Sequence, residues 1–269
     1  MMVKKEKRIN KPVTDKTIIK YHRSYRTLPG SARSFFLHFC ILALPLSAII
    51  VLFYPWISRT LCLITQSILS PFFFQDSLRI VETPYIKAIG NVSYLSLPGR
   101  FPSTLFSLVN AIICLFALAY LPNVERAKPL VIYTIMTAAI HMVSSLFFLI
   151  FPSYFPYGAS EYSRLYMLQQ IGIWFFVPLI MGLGIMSLPS SFGTKCFTMG
   201  VTFLYSLVFG TLRYAVFLYI LSKISLIFMA ILFFSLGPLI DFVYIVGIYS
   251  THVTQLANKL REDFTIWQW

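Results

Sequence analysis

Long apolar runs separated by short polar segments dominate the chain. A transmembrane helix needs about 20 predominantly apolar residues, and six runs are long enough: residues 35–57, 103–121, 129–154, 165–188, 197–221 and 225–250. The pattern therefore predicts an all-α fold, an integral membrane bundle of about six transmembrane helices. We expect one membrane domain at 35–250, between an N-terminal tail at 1–34 and a C-terminal tail at 251–269.

A long basic flank precedes the first apolar run. No small-residue cleavage pattern follows that run, which predicts a retained signal anchor instead of a removed signal peptide. Ten of the 22 Lys and Arg residues lie between Lys4 and Arg33. Because Lys and Arg concentrate on the cytoplasmic side of membrane proteins, we expect a cytoplasmic N-terminus. Six spans then place the C-terminus in the cytoplasm as well.

The segment 58–102, on the outer side in this orientation, is neither a span nor a short loop. Apolar residues at 61–73 repeat with helical spacing but are interrupted by polar ones, which predicts an interfacial helix lying on the outer leaflet. Turn-forming pairs at Thr83–Pro84, Gly90–Asn91 and Pro98–Gly99 follow. Two interpretations stay open: a loop that packs over the bundle, or a lid over an outward-facing cavity.

The composition agrees with the membrane class, and the charge favours membrane lipids over nucleic acid as partners. The chain is 58% hydrophobic and 12% charged, with a mean hydropathy of +0.76, whereas soluble domains carry about 25% charged residues. Soluble, collagen-like, disulfide-rich and disordered classes are therefore excluded. The formal net charge of +13 favours an orientation signal and attraction to anionic membrane lipids over nucleic-acid binding.

Soluble-enzyme and metal-binding patterns are absent from the sequence. The four Cys and four His have no metal-ligand or redox spacing, and we find no Gly-rich phosphate loop, nucleophile elbow or His-Glu-x-x-His motif. We therefore expect no metal site and no cofactor, and we assign no catalytic residue.

Two charged residues inside predicted spans are the strongest candidates for function. A charge at the centre of a span costs about 2.5–3.5 kcal/mol, so it tends to face protein and to be functional. Arg213 lies eight residues and Asp241 sixteen residues from the outer end of a span, so their depths differ by about 12 Å at 1.5 Å per residue. Either the two residues stabilise the bundle, paired or separately, or Arg213 binds an anion in an outward polar cavity.

Further polar residues occur in the same spans. His141 lies near the middle of the third span, and Gln169 and Gln170 lie near the outer end of the fourth. A lone His in an apolar helix is more often a packing residue than a proton relay. The run 237–241, which contains Pro238 and ends at Asp241, predicts a kink that carries a charge.

Residues 158–249 resemble the core of the exosortase/archaeosortase family of membrane transpeptidases. Glu161 and Tyr162 occupy the outer helix start where that family has an acidic residue and the catalytic Cys, and Arg213 occupies the position of its membrane-embedded Arg. The family His is also missing, since residues 232–235 read Leu-Phe-Phe-Ser. The resemblance implies an exosortase-like protein without cysteine transpeptidase activity.

Three functional hypotheses follow. The first is a binding or scaffolding protein of the bacterial inner membrane that assists export or assembly of a polysaccharide or protein, together with another membrane protein of an envelope complex. The second is a transporter or transporter subunit with Arg213, Asp241 and His141 along a polar pathway, although the chain shows no internal repeat. The third is an enzyme that acts on a lipid-linked substrate through Glu161 and Arg213.

Overall fold

Six long helices make up most of the part of the chain that the structure describes. The computed structural model describes residues 32–74, 77–124 and 127–261. Each of the six helices is long and apolar enough to cross a membrane, which confirms the predicted number and indicates an integral membrane protein. They are α1 (Ala32–Phe72), α2 (Thr104–Asn123), α3 (Lys128–Ile150), α4 (Ala159–Met186), α5 (Phe192–Ile224) and α6 (226–261).

The first helix is much longer than its apolar run predicts. It has 41 residues, about 60 Å at 1.5 Å per residue, or twice the hydrocarbon thickness of a bilayer. The separate interfacial helix expected at 61–73 is therefore wrong, since these residues largely continue α1. Two of their polar side chains form local hydrogen bonds: Ser67 Oγ donates to Leu63 O at 3.0 Å, and Gln66 Nε2 donates to Leu78 O at 3.1 Å.

A β-hairpin follows α1, in a region where the sequence predicted only helix and turns. Strand β1 (Arg79–Ile86) pairs antiparallel with β2 (Gly90–Ser96), and a register shift lies between Pro84 and Ile86. Apolar and polar residues alternate only weakly over 79–86, so the sequence pattern does not predict a strand there. Gly90 has φ of +145°, a conformation available essentially to glycine alone.

Side-chain hydroxyl groups from three helices dock the hairpin on the bundle. Backbone N–H groups of β2 and the residue after it donate to Ser58 of α1 (from Ser93, 3.1 Å), Tyr214 of α5 (from Leu95, 3.0 Å) and Ser160 of α4 (from Leu97, 3.1 Å). An exposed strand edge would otherwise present unpaired donors. The hydroxyls therefore fix the hairpin at one end of the bundle, here called the hairpin end.

Helix α4 lies at the centre of the packing. Its fully buried side chains include Tyr162, Met167, Trp174 and Met181, and α1, α5 and α6 pack around it. The α2–α3 pair packs against the beginning of α6, where Ser235 Oγ lies 2.5 Å from the hydroxyls of Tyr133 and Thr137. At the opposite end, here called the tail end, α1 begins, α4 turns into α5 and α6 finishes.

Helix α6 is irregular directly before the kink predicted at 237–241, and residues 237–241 themselves belong to its regular part. It starts with a 3-10 turn (Leu226–Phe228), a single α turn (Met229–Ile231) and a π-helical turn (Leu232–Leu236), and becomes regular at Gly237–Arg261. Pro238 lacks a backbone N–H and cannot continue the preceding hydrogen bonds. The change of helix type shifts the side chains after Gly237 relative to a regular helix.

We predict that Gly90→Ala lowers the free energy of unfolding by about 1–3 kcal/mol, because alanine is strained at positive φ and its Cβ would lie 3.4 Å from Pro55 Cγ. The matched control is Gly200→Ala, at an exposed position of α5 with no atom within 4 Å of the added Cβ. Its stability should stay constant or rise by up to about 1 kcal/mol. Denaturant unfolding in mixed micelles measures both, and equal effects would contradict the strained turn.

Candidate functional site

Two helices each present a pair of polar groups one turn apart toward α5. Tyr166 and Gln170 of α4 are separated by four residues, as are Gly237 and Asp241 of α6. Residues i and i+4 of a helix lie on the same face, so each pair faces the same side of its helix. Arg213 of α5 lies between the two pairs. These five residues are called the Arg213 network below.

The guanidinium group of Arg213 is tied to both neighbouring helices. Nε donates to Tyr166 Oη at 2.8 Å, Nη2 donates to Gln170 Oε1 at 2.6 Å, and Nη1 donates to the backbone oxygen of Gly237 at 2.8 Å. Nη1 also lies 3.0 Å from Asp241 Oδ2. The carboxylate oxygen is outside hydrogen-bond geometry and has no hydrogen-bond partner in the described part of the chain, so this contact is an ion pair alone.

The ion pair decides one of the alternatives that the sequence left open. The depth difference of about 12 Å assumed a regular rise in both helices, and it left direct pairing unsettled. The π-helical turn ahead of Gly237 and the length of the arginine side chain bring the charges together. A buried charge needs a partner in a low-dielectric interior, so each residue neutralises the other.

The network is closed to solvent. Arg213 is 5% exposed and Asp241 is 7% exposed. On the side of the hairpin end, the ring of Tyr166 covers the network by stacking on that of Tyr214, with the ring centroids 5.1 Å apart. The expected outward polar cavity around Arg213 is therefore not present in the described structure, because its donors are bound to the protein itself. Tyr214 joins this network to the hairpin, since its hydroxyl contacts Ser163 Oγ at 2.5 Å and accepts from Leu95 N.

A groove beside the network opens sideways between α4 and α6. This lateral groove has a volume of about 490 Å³ and is lined by nine residues, of which Gln169 and Asp241 are polar. Phe176 and Ile180 on its wall are 55% and 54% exposed, so the opening faces the apolar surroundings of the bundle. A Cβ on Gly172 would meet no neighbouring atom within 4 Å, and this glycine therefore widens the groove.

The structure gathers four of the seven predicted site residues. Arg213, Asp241 and Gln170 belong to the network, and Gln169 lines the groove next to it. Glu161 forms a surface ion pair with Arg164 three residues later. Exposed pairs of this kind contribute little to stability.

Tyr162 and His141 lie apart from the lateral groove. Tyr162 is buried against Phe233 and lines a separate, mostly apolar pocket of about 280 Å³. His141 joins α3 to α2, since its Nε2 lies 3.1 Å from Asn110 Oδ1, and its ring stacks on Phe228 at 5.1 Å. This is the packing role expected for a lone intramembrane histidine.

Sequence reasoning missed Tyr166, the aromatic member of the Arg213 network. Tyr162, Tyr166, Gln170 and Trp174 recur at intervals of four residues, a stripe of groups that can form hydrogen bonds on one face of α4. That spacing predicts a polar face on α4. It does not by itself indicate a site, because tyrosine and tryptophan in apolar helices are usually packing or interfacial residues.

No metal-binding cluster of three His, Cys, Asp or Glu occurs within the part of the chain that the structure describes. Compared with protein-family models, curated proteins and solved structures, the chain matches none of them. The resemblance to exosortases stays a prediction from the residues quoted for it.

We predict that the charges of Arg213 and Asp241 are energetically coupled. Arg213→Met or Asp241→Leu leaves one buried charge unpaired, which should cost about 3–5 kcal/mol of stability. The double variant should lose less than the sum of the two, by about 1–3 kcal/mol. Denaturant unfolding in mixed micelles gives the three values. Strictly additive losses would show that the ion pair does not contribute to stability.

Proposed function

We propose that this protein is a binding or scaffolding protein of the bacterial cell envelope, which holds a membrane-spanning helix of another protein in the lateral groove. It serves export or assembly of a polysaccharide or protein and performs no cysteine transpeptidation. The observation that carries this proposal is the lateral groove itself, whose otherwise apolar wall includes the polar residues Gln169 and Asp241.

The lining of the groove suits a helix better than a soluble ligand. Helices associate in membranes through small residues that permit close approach and through polar groups that form hydrogen bonds between helices. Gly172 supplies the small residue, while Gln169 and Asp241 supply polar groups. Phe176 and Ile180 supply exposed apolar surface on the same side. A partner helix with a hydrogen-bond donor therefore complements this surface.

The placement of the cysteines supports a non-catalytic role. A thiolate nucleophile needs a nearby base and access to substrate. Cys62 is fully buried and Cys114 is buried, whereas Cys40 and Cys196 lie in the tail-end parts of α1 and α5. None of the four occurs in the lining of the lateral groove or of the pocket beside Tyr162.

The transporter hypothesis receives less support. Arg213 and Asp241 neutralise each other, and His141 bonds to Asn110 instead of the network. A proton relay requires a continuous chain of groups that exchange protons. The described hydrogen bonds do not connect His141 to Asp241.

Site-specific photo-crosslinking in native membranes tests the proposal. We expect a photoreactive amino acid at position 176, in the groove, to crosslink one discrete protein. Adding Gly172→Met to the same chain should abolish this crosslink, because the methionine side chain fills the groove. The control position is Leu204, which is 62% exposed on α5 and outside the groove, close to the 55% of Phe176. The control substitution is Gly200→Met, which should leave the crosslink unchanged.

Two outcomes would contradict the proposal. Crosslinks to lipid alone at Phe176 would show that no protein occupies the groove. Equal crosslinking at Leu204 would show that the groove is not the binding site. The transporter hypothesis would be favoured instead if the protein catalysed solute uptake in proteoliposomes and Asp241→Asn abolished that uptake.

A further inference from the structure

A second, more polar pocket lies at the tail end, where Lys195 precedes Arg213 by 18 residues of α5, about 27 Å at 1.5 Å per residue. It is lined by residues of the start of α1, the turn between α4 and α5, and one lysine of α5, and its volume is about 300 Å³. The polar residues of this tail-end pocket are Ser34, His38, Ser187, Ser190 and Lys195. It combines three serines with a histidine and a lysine.

Lys195 is unusually well buried for a charged residue. The residue is 3% exposed, and its Nζ donates to the backbone oxygen of Met186 at 3.0 Å. No carboxylate in the described ranges lies within ion-pair distance of it. One carbonyl leaves two of the three ammonium donors free. A buried ammonium without a counter-ion costs free energy, and an anion in the pocket would offset that cost.

His38 provides a second donor or acceptor in the same pocket. Its Nδ1 is buried and has no hydrogen-bond partner within the described chain, while its ring packs on Phe192 at 5.0 Å. Buried polar atoms are normally hydrogen-bonded. Ser187 already donates to Gly184 O at 2.9 Å, and Ser190 Oγ lies 3.4 Å from His252 Nε2. The pocket therefore offers Lys195, His38 and the Ser34 hydroxyl as donors around one positive charge.

The position of the pocket favours a ligand from the membrane surface. Phe36 and Leu37, next to the lining residues of α1, are 63% and 56% exposed, which places apolar surface beside a polar pocket. Nine Lys and Arg at 4–26 precede α1 in the sequence, and Arg33 lies in its first turn. Such basic flanks attract anionic headgroups. A phosphate group has the charge and the acceptor oxygens that these donors require.

We propose that the tail-end pocket binds a phosphate group through Lys195 and His38. The group comes from a lipid headgroup or from soluble phosphate, and the two sources are separable. This site is independent of the lateral groove and of the function proposed for it, and it gives the protein a specific anion site in addition to the general attraction of its basic tail.

Binding measurements on the full-length protein in a phosphate-free maltoside detergent test the site. The probes are inorganic phosphate, dioctanoyl phosphatidylglycerol and dioctanoylglycerol, which has the same chains without the phosphate. We expect phosphatidylglycerol to bind, dioctanoylglycerol to bind far more weakly, and Lys195→Met to weaken phosphatidylglycerol by about tenfold or more. Binding of inorganic phosphate as well would show that the phosphate group alone suffices, whereas its failure would assign the site to lipid.

Three further variants keep the test decisive. Lys195→Arg retains the charge and should bind within about threefold of the wild type. His38→Phe retains the ring against Phe192, removes Nδ1 and should weaken binding even if Lys195→Met does not fold. Lys128→Met, at an exposed lysine that begins α3, controls for net charge and should have little effect. Equal affinity in Lys128→Met, Lys195→Met and His38→Phe would overturn the proposal, as would failure of both phosphate probes to bind.

Discussion

One buried guanidinium fixes the arrangement of three helices. Apolar side chains pack α4, α5 and α6 without specifying their axial register, because lipid-facing and protein-facing surfaces are both apolar. Arg213 removes that freedom, because it must find acceptors in a low-dielectric interior. Within the described structure it finds them at Tyr166, Gln170, Gly237 and Asp241. The irregular start of α6 is compatible with this constraint, since it positions Gly237 and Asp241 on the arginine.

The hairpin depends on the same constraint through two tyrosines. Tyr166 accepts from Arg213 and stacks on Tyr214, and the Tyr214 hydroxyl accepts from the backbone of Leu95. Tyr54 completes the attachment from the other side, because its hydroxyl donates to Gly90 O at 2.7 Å. A two-stranded hairpin is marginally stable on its own, so its order derives from hydroxyl groups that the helices hold in place.

Polar chemistry is distributed to two separate places in an otherwise apolar protein. In the lateral groove a carboxylate is neutralised internally and keeps one oxygen without a hydrogen bond. In the tail-end pocket a lysine has only a backbone carbonyl as partner within the described chain. The first arrangement suits recognition inside the bilayer, where an uncompensated charge is expensive. The second suits the membrane surface, where anionic headgroups are available.

The sequence alone determined six apolar helices, their approximate positions along the chain and the residues whose charge makes them exceptional, because lipid imposes a length and a composition on every span. It also identified Arg213, Asp241 and Gln170, which do lie together. Only the tertiary structure decided that Arg213 pairs with Asp241, that α1 continues to Phe72 and that 79–96 is a hairpin. Those features arise from hydrogen bonds between residues distant in the chain, such as Leu95 with Tyr214, and no local periodicity encodes such partners.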